Sequence, residues 1–199
     1  LNAETIEIRR SVLGKDDPET LASESELAEM YERQGQFDKA EKLYREVFEA
    51  YRRVLGEDHP RTINAMQNLA SAYADRGRYI EAEKLLRGAF EADRRVLGAD
   101  HPSTLWIMNN VAAVCFKLGR LKAAETLNTQ LVEIRTRVLG KDHPRTLASM
   151  GNLALVYQAQ GRNDEAEALA REALEGNRRA LGKEDLNTLL DEGALAGII

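Results

Sequence analysis

The chain of 199 residues has a single cysteine, Cys115, so no intramolecular disulfide can form and a reducing, cytoplasmic setting is expected. Four prolines and 14 glycines are too few for a collagenous or linker-like chain. Basic residues are not in excess: 28 Lys and Arg stand against 33 Asp and Glu, a net charge of −5 that argues against nucleic acid as a partner. No apolar run approaches the roughly 18–20 residues that span a bilayer, and the opening Leu1-Asn2-Ala3-Glu4 lacks the basic and apolar regions of a signal peptide. A membrane is therefore not an expected partner. With 43% hydrophobic and 31% charged residues, the composition is that of an ordered chain with a core to bury.

The sequence repeats with a period of 42. Leu-Gly recurs at 13–14, 55–56, 97–98, 139–140 and 181–182, in register with Pro18, Pro60, Pro102 and Pro144, and with Thr20, Thr62, Thr104, Thr146 and Thr188. Gly35, Gly77, Gly119 and Gly161 keep the same interval, as do the Ala-Glu pairs at 40–41, 82–83, 124–125 and 166–167. Each unit carries two helical patterns. The first runs from about Pro60 to Arg76, with Ile63, Met66, Leu69, Ala70 and Tyr73 on one face. The second runs from about Tyr79 to Leu97, with Ala82, Leu85, Leu86, Ala89 and Val96 on one side.

Punctuation separates the patterns. Gly77 is expected to take the left-handed conformation that ends a first helix, and Gly98 the same for a second. Asp100-His101-Pro102 then opens the next helix with Pro at its first position. His59, His101 and His143 align with Asp17 and Asp185, so this column is read as a helix cap. Glu49 and Arg53, Glu91 and Arg95, Glu133 and Arg137, and Glu175 and Arg179 are spaced for i,i+4 pairs near helix C-termini, each worth about 0.3–0.5 kcal/mol.

Leu69-Ala70-x-x-Tyr73 followed by Ala82-x-x-x-Leu86 resembles the tetratricopeptide repeat, and Leu27-Ala28-x-x-Tyr31 with Ala40-x-x-x-Tyr44 repeats the pattern. The 42-residue form with Leu-Gly-x-Asp-His-Pro between units resembles the repeat of kinesin light chains, and is similar to repeats appended to nucleotide-binding signalling ATPases of fungi and bacteria. Departures are Met66, Met108, Met150 and Glu24 in place of the frequent Trp, and Val111 and Cys115 in place of Leu and Tyr. The resemblance implies an all-α fold, a right-handed superhelical solenoid of stacked helix–turn–helix repeats forming one array over 1–199. Its parts are a partial second helix at 1–14, full units at 18–56, 60–98, 102–140 and 144–182, and a closing partial helix at 185–199. These ends, falling inside units, suggest a piece of a longer protein; the alternative is that the closing helix, with Asp191 and Glu192, is itself a cap.

The same resemblance implies that first helices line a concave groove for a protein or peptide segment. The stripe facing it contains Glu26 and Glu29, then Asn64, Gln67 and Asn68, then Trp106, Asn109, Asn110, Phe116 and Lys117, and then Asn152. Asn68, Asn110 and Asn152 form a row of amides able to pair with a peptide backbone, or else to tie neighbouring helices together. Trp106 and Phe116 are expected to form an apolar pocket or to be buried between helices. Glu26, Glu29 and Glu32 favour a basic flank on the ligand, or are simply a solvated end. No phosphate-cradling loop, cysteine cluster or nucleophile elbow appears, and the three histidines lie a repeat apart, too far for one metal site. No catalysis, cofactor or metal is expected. The second function in view is a structural or regulatory array that packs on another domain or self-associates through its terminal helices.

Overall fold

The computed structural model describes residues 3–182 and 185, and among these every regular element is an α-helix. In chain order they are α1 (Ala3–Val12), α2 (Pro18–Arg33), α3 (Phe37–Leu55), α4 (Pro60–Asp75), α5 (Tyr79–Leu97), α6 (Pro102–Lys117), α7 (Leu121–Leu139), α8 (Pro144–Ala159) and α9 (Asn163–Ala180). The closing segment proposed from sequence, with Asp191 and Glu192, lies outside the described residues apart from Asp185. The described residues form two compact units, one up to Ile107 and one from Met108. In the first, α1 packs on α2, α2 on α3, α3 on α4 and α4 on α5; in the second, α7 packs on α8 and α8 on α9.

The helix starts follow from the residue before each proline. Asp17 accepts a hydrogen bond from the Glu19 amide at 2.9 Å, and His59, His101 and His143 do the same through Nδ1 for the amides of Arg61, Ser103 and Arg145 at 3.1–3.2 Å. An imidazole thus fills the place of an Asp cap, as the alignment of the two residue types implied. At the other ends, Gly77 has φ +73, in the left-handed region. Gly98 differs from the expectation: φ is +92 but ψ is 165, an extended conformation of positive φ rather than a left-handed turn, which sends the chain toward His101.

The core is built from the small and branched residues of the repeat. Ala28, Ala70, Ala82, Ala89 and Ile63 are buried in the first unit; Leu131, Leu147, Val156, Ala124 and Ala166 are buried in the second. The alanines allow close helix approach, and Cys115 is a buried thiol. Leu86 and Ala89 of α5 are buried as the periodicity predicts, but Val96 is 47% exposed, and Ala92 and Asp93 occupy the buried face instead. Asp93 is satisfied there by the Thr104 hydroxyl, which donates to it at 2.9 Å.

Three of the four arginines in the predicted i,i+4 ladder make longer connections instead. Arg53 bonds Asp16 at 2.7 Å, Arg95 bonds Asp58, and Arg179 bonds Asp142 at 2.7 Å, each Asp belonging to the Leu-Gly-x-Asp loop 37 residues earlier. Glu49 and Glu91 pair with Arg52 and Arg94, three residues on. The loop brings an aspartate beside the helix end, and a guanidinium with five donors takes it in preference to the glutamate one turn back. The Ala-Glu column supplies a second tie. Glu41 is buried and accepts from Arg45, Arg76 and Arg78 at 2.5–3.0 Å, while Arg78 lies 4.2 Å from the Tyr73 ring centroid. Glu125 accepts from Gln160 and Arg162 at 2.9 and 2.7 Å, with Arg162 3.9 Å from the Tyr157 centroid.

Glu24, in the column held by Met66, Met108 and Met150 in the other full units, is buried and paired with Arg10 at 2.8 Å. An ion pair with one buried partner gains little net stability over an apolar side chain of similar size. Glu24→Met is therefore expected to stabilise the first unit by about 1 kcal/mol, read as a rise in the urea midpoint. A fall in the midpoint would mean that the pair, and not the pocket around it, holds α1 in place.

Candidate functional site

The stripe expected to bind a partner lies on first helices, where the apolar positions are committed to the core and the remaining side chains face outward. In the first unit this places Asn64, Asn68 and Ser71 on the exposed side of α4, with Gln67 half-buried. Asn68 and Ser71, with residues of α2 and α3, line a recess of about 330 Å³ whose other walls are Ser25, Glu26, Glu29, Glu32 and Tyr44; Asn64 and Gln67 lie outside it. Asn68 thus shares one concavity with Glu26 and Glu29. Tyr44 was not foreseen there. It projects from the second helix, α3, and donates from its hydroxyl to Glu32 Oε2 at 3.3 Å. In the sequence it stood only as part of the Ala40-x-x-x-Tyr44 repeat pattern, and the packing of α3 on α2 brings its hydroxyl into the recess.

The electrostatics of the recess follow from its carboxylates. Glu29 is tied to Arg33 at 2.5 Å. Burial, together with the charges of Asp75 and Glu29, raises the Glu32 carboxyl above the ordinary range, with the Tyr44 hydrogen bond acting in the other direction. Burial and the neighbouring Glu32 push the Tyr44 phenol strongly upward, so it stays a donor at any physiological pH. A cation placed in the recess would favour ionised Glu32 and release the excess proton affinity; its binding weakens as pH falls through the raised Glu32 range.

In the second unit Asn109 and Asn110 are half-buried on α6, Asn152 is exposed on α8, and Phe116 and Lys117 are respectively half-buried and exposed. Asn152 Nδ2 donates to Asn109 Oδ1 at 3.2 Å, so one of the two readings of the amides, a tie between first helices, is realised at this pair. The bond leaves the Asn109 amide donors and the Asn152 oxygen available. Leu155 on α8 is 41% exposed. Trp106 belongs to the first compact unit and is 53% exposed, which excludes its burial between helices there; Phe116 belongs to the second. Among the described residues no group of three or more His, Cys, Asp and Glu could hold a metal ion, and no helix is long and apolar enough to cross a membrane.

A profile described as tetratricopeptide repeat matches residues 1–49, 19–87, 65–136 and 107–179. Among solved structures, the chain is 30% identical to a singly substituted form of the nearly identical TPR-like repeats assigned to a kinesin light chain of Podosopora anserina, covering 89% of this chain and 84% of that one with a TM-score of 0.80. The form without that substitution is 31% identical over the same shares, with a TM-score of 0.78. BtubC (BKLC) from P. vanneervenii is 23% identical, with 98% of this chain and 79% of that chain covered and a TM-score of 0.79, a likeness of fold. A search of curated proteins found no match.

Proposed function

Because the chain belongs to the tetratricopeptide repeat family, whose kinesin-light-chain-like solenoids serve protein–protein interaction, we propose that its first helices hold a peptide or protein segment through the outward amides and the acidic recess. The observation that carries this reading is the recess itself. It combines a concavity of about 330 Å³, three carboxylates, and the hydroxyls and amide of Ser25, Ser71 and Asn68 on one surface. Carboxylates suit a Lys or Arg of the segment, and the amide suits its backbone, which offers donors and acceptors regardless of sequence. Trp106, exposed where the corresponding positions of the other full units carry Ala22, Asn64 and Ala148, supplies an apolar anchor. No step of this function calls for a cofactor.

A double variant, Asn110→Ala with Asn152→Ala, is expected to lose capture of the native partner by at least tenfold in a pull-down from the native source, with helicity by circular dichroism unchanged. Glu29→Gln with Glu32→Gln is expected to lower affinity mainly through a slower association rate and to flatten its salt dependence. Capture that survives the amide substitutions at full strength would move the site off the first helices. The remaining reading, an array that packs on another domain or on its own copies through terminal helices, would then be tested by light scattering at several concentrations.

A further inference from the structure

Of the described first helices, α4, α6 and α8 open on His59, His101 and His143, and α2 opens on Asp17. In all four the cap side chain accepts the amide hydrogen two residues on. The cap carbonyl accepts the amide four residues on, from Leu21, Ile63, Leu105 and Leu147 at 3.0–3.1 Å. His59 and His143 share the extended backbone of Asp17, with ψ 136 and 134 against 133. The two cap types differ in chemistry. A carboxylate keeps its acceptors well below neutrality. An imidazole accepts at Nδ1 only while that nitrogen has a lone pair, and the proton of the neutral ring then sits on Nε2. A protonated ring has an N–H at both nitrogens. It turns one of them on the Arg61, Ser103 or Arg145 amide and adds positive charge at the positive end of a helix dipole.

The charged groups about each ring come from its own loop and from the helices packed there. Around His59 they are Glu57, Asp58 bonded to Arg95 of α5, and Arg61 bonded to Glu19 of α2. Around His101 they are Asp100 and, through the Thr104 hydroxyl, Asp93 of α5. Around His143 they are Lys141, Asp142 bonded to Arg179 of α9, and Arg145, whose carbonyl accepts from Arg135 of α7. Hydrogen bonds from Arg95 and Arg179 hold the Asp58 and Asp142 carboxyls below the usual carboxylate range, so these neighbours keep their charge while the rings change theirs.

We infer that the three histidines form a pH-sensitive device that uncaps α4, α6 and α8 in mild acid and leaves α2 capped. Their caps contribute while the rings are neutral and are lost as pH falls through the ordinary imidazole range, about 6–7. The device sits on the helices that carry Asn68, Asn110 and Asn152, whereas Glu26, Glu29 and Glu32 of the acidic recess belong to α2. For a segment held by the amides this means weaker capture in mild acid, a consequence that rests on the proposed function; the uncapping itself does not.

The test is hydrogen exchange resolved by amide NMR on the whole chain without ligand, between about pH 8 and about pH 5. Protection factors are compared, since the intrinsic exchange rate itself varies with pH. Protection of Ile63, Leu105 and Leu147 is expected to fall about fivefold in step with ring protonation, and that of Leu21 to stay within about a factor of two. Nitrogen shifts of the rings at the upper pH should show Nε2 protonated and Nδ1 bare. With His59→Asn, His101→Asn and His143→Asn combined, the caps no longer titrate and the fall should vanish. His59→Asp, which copies Asp17, should by itself abolish the fall at Ile63 and leave Leu105 and Leu147 responding, a check that needs no triple variant. An equal loss at Leu21, no loss at the three histidine-capped helices, a loss that persists in these variants, or a proton on Nδ1 at the upper pH overturns the device.

Discussion

Leu131→Ala is expected to destabilise the second unit by about 3–4 kcal/mol. Leu131 is fully buried on α7, in the column filled by Val47, Ala89 and Ala173 in the other repeats. Removing its branched end takes away the transfer free energy of the lost carbons and leaves a void that rigid neighbouring helices cannot close. Repeats owe much of their stability to their neighbours, so loss at α7 also loosens its packing against α8. Urea unfolding followed by far-ultraviolet circular dichroism should show a markedly lower midpoint, and hydrogen exchange should place the faster opening in α7 and α8. Val138→Ala on the same helix is the control: at 48% exposure it should cost no more than about 0.5 kcal/mol. Equal effects of the two substitutions would contradict the assigned faces of α7.

Gly98→Ala is expected to cost about 2–3 kcal/mol, and for a different reason. A Cβ at Gly98 would meet nothing within 4 Å, so no clash contributes. The cost is local: φ +92 with ψ 165 lies in a region that only glycine visits freely. Gly77 is equally open around its would-be Cβ, but at φ +73 it occupies the left-handed well, and Gly77→Ala is expected to cost about 1 kcal/mol, with Asn costing less. Unfolding midpoints of the three variants check the order. Similar losses at both glycines would show that the Leu-Gly position is not held by backbone conformation, and that the chain direction into the following His-Pro cap is set by packing.

The difference between the two glycines marks where reading the sequence stops. Both were recognisable as positions of positive φ from their place between a helix and a polar turn, but ψ depends on where the next helix must begin. The candidate site divides in the same way. The outward placement of Asn68 and Asn152 followed from a helix period that commits their neighbours to the core, whereas the Tyr44 hydroxyl in the recess and the Asn152–Asn109 bond join residues 12 and 43 positions apart. No periodicity reports the angle at which two helices meet.

Period, helix spans and caps were determined by the sequence alone, because they rest on backbone conformation and on contacts within a few residues: proline after Asp or His, glycine after the last turn, apolar residues three and four apart. The tertiary structure decided which long side chains pair and which apolar ends stay wet. Arg53, Arg95 and Arg179 each have a glutamate one turn back and an aspartate 37 residues back, and a flexible guanidinium takes whichever carboxylate the packed neighbours bring into reach. Val96 has the spacing of a core residue and lies in solvent because burial requires a facing helix as well as a face, and the facing helix is set by packing beyond the local segment.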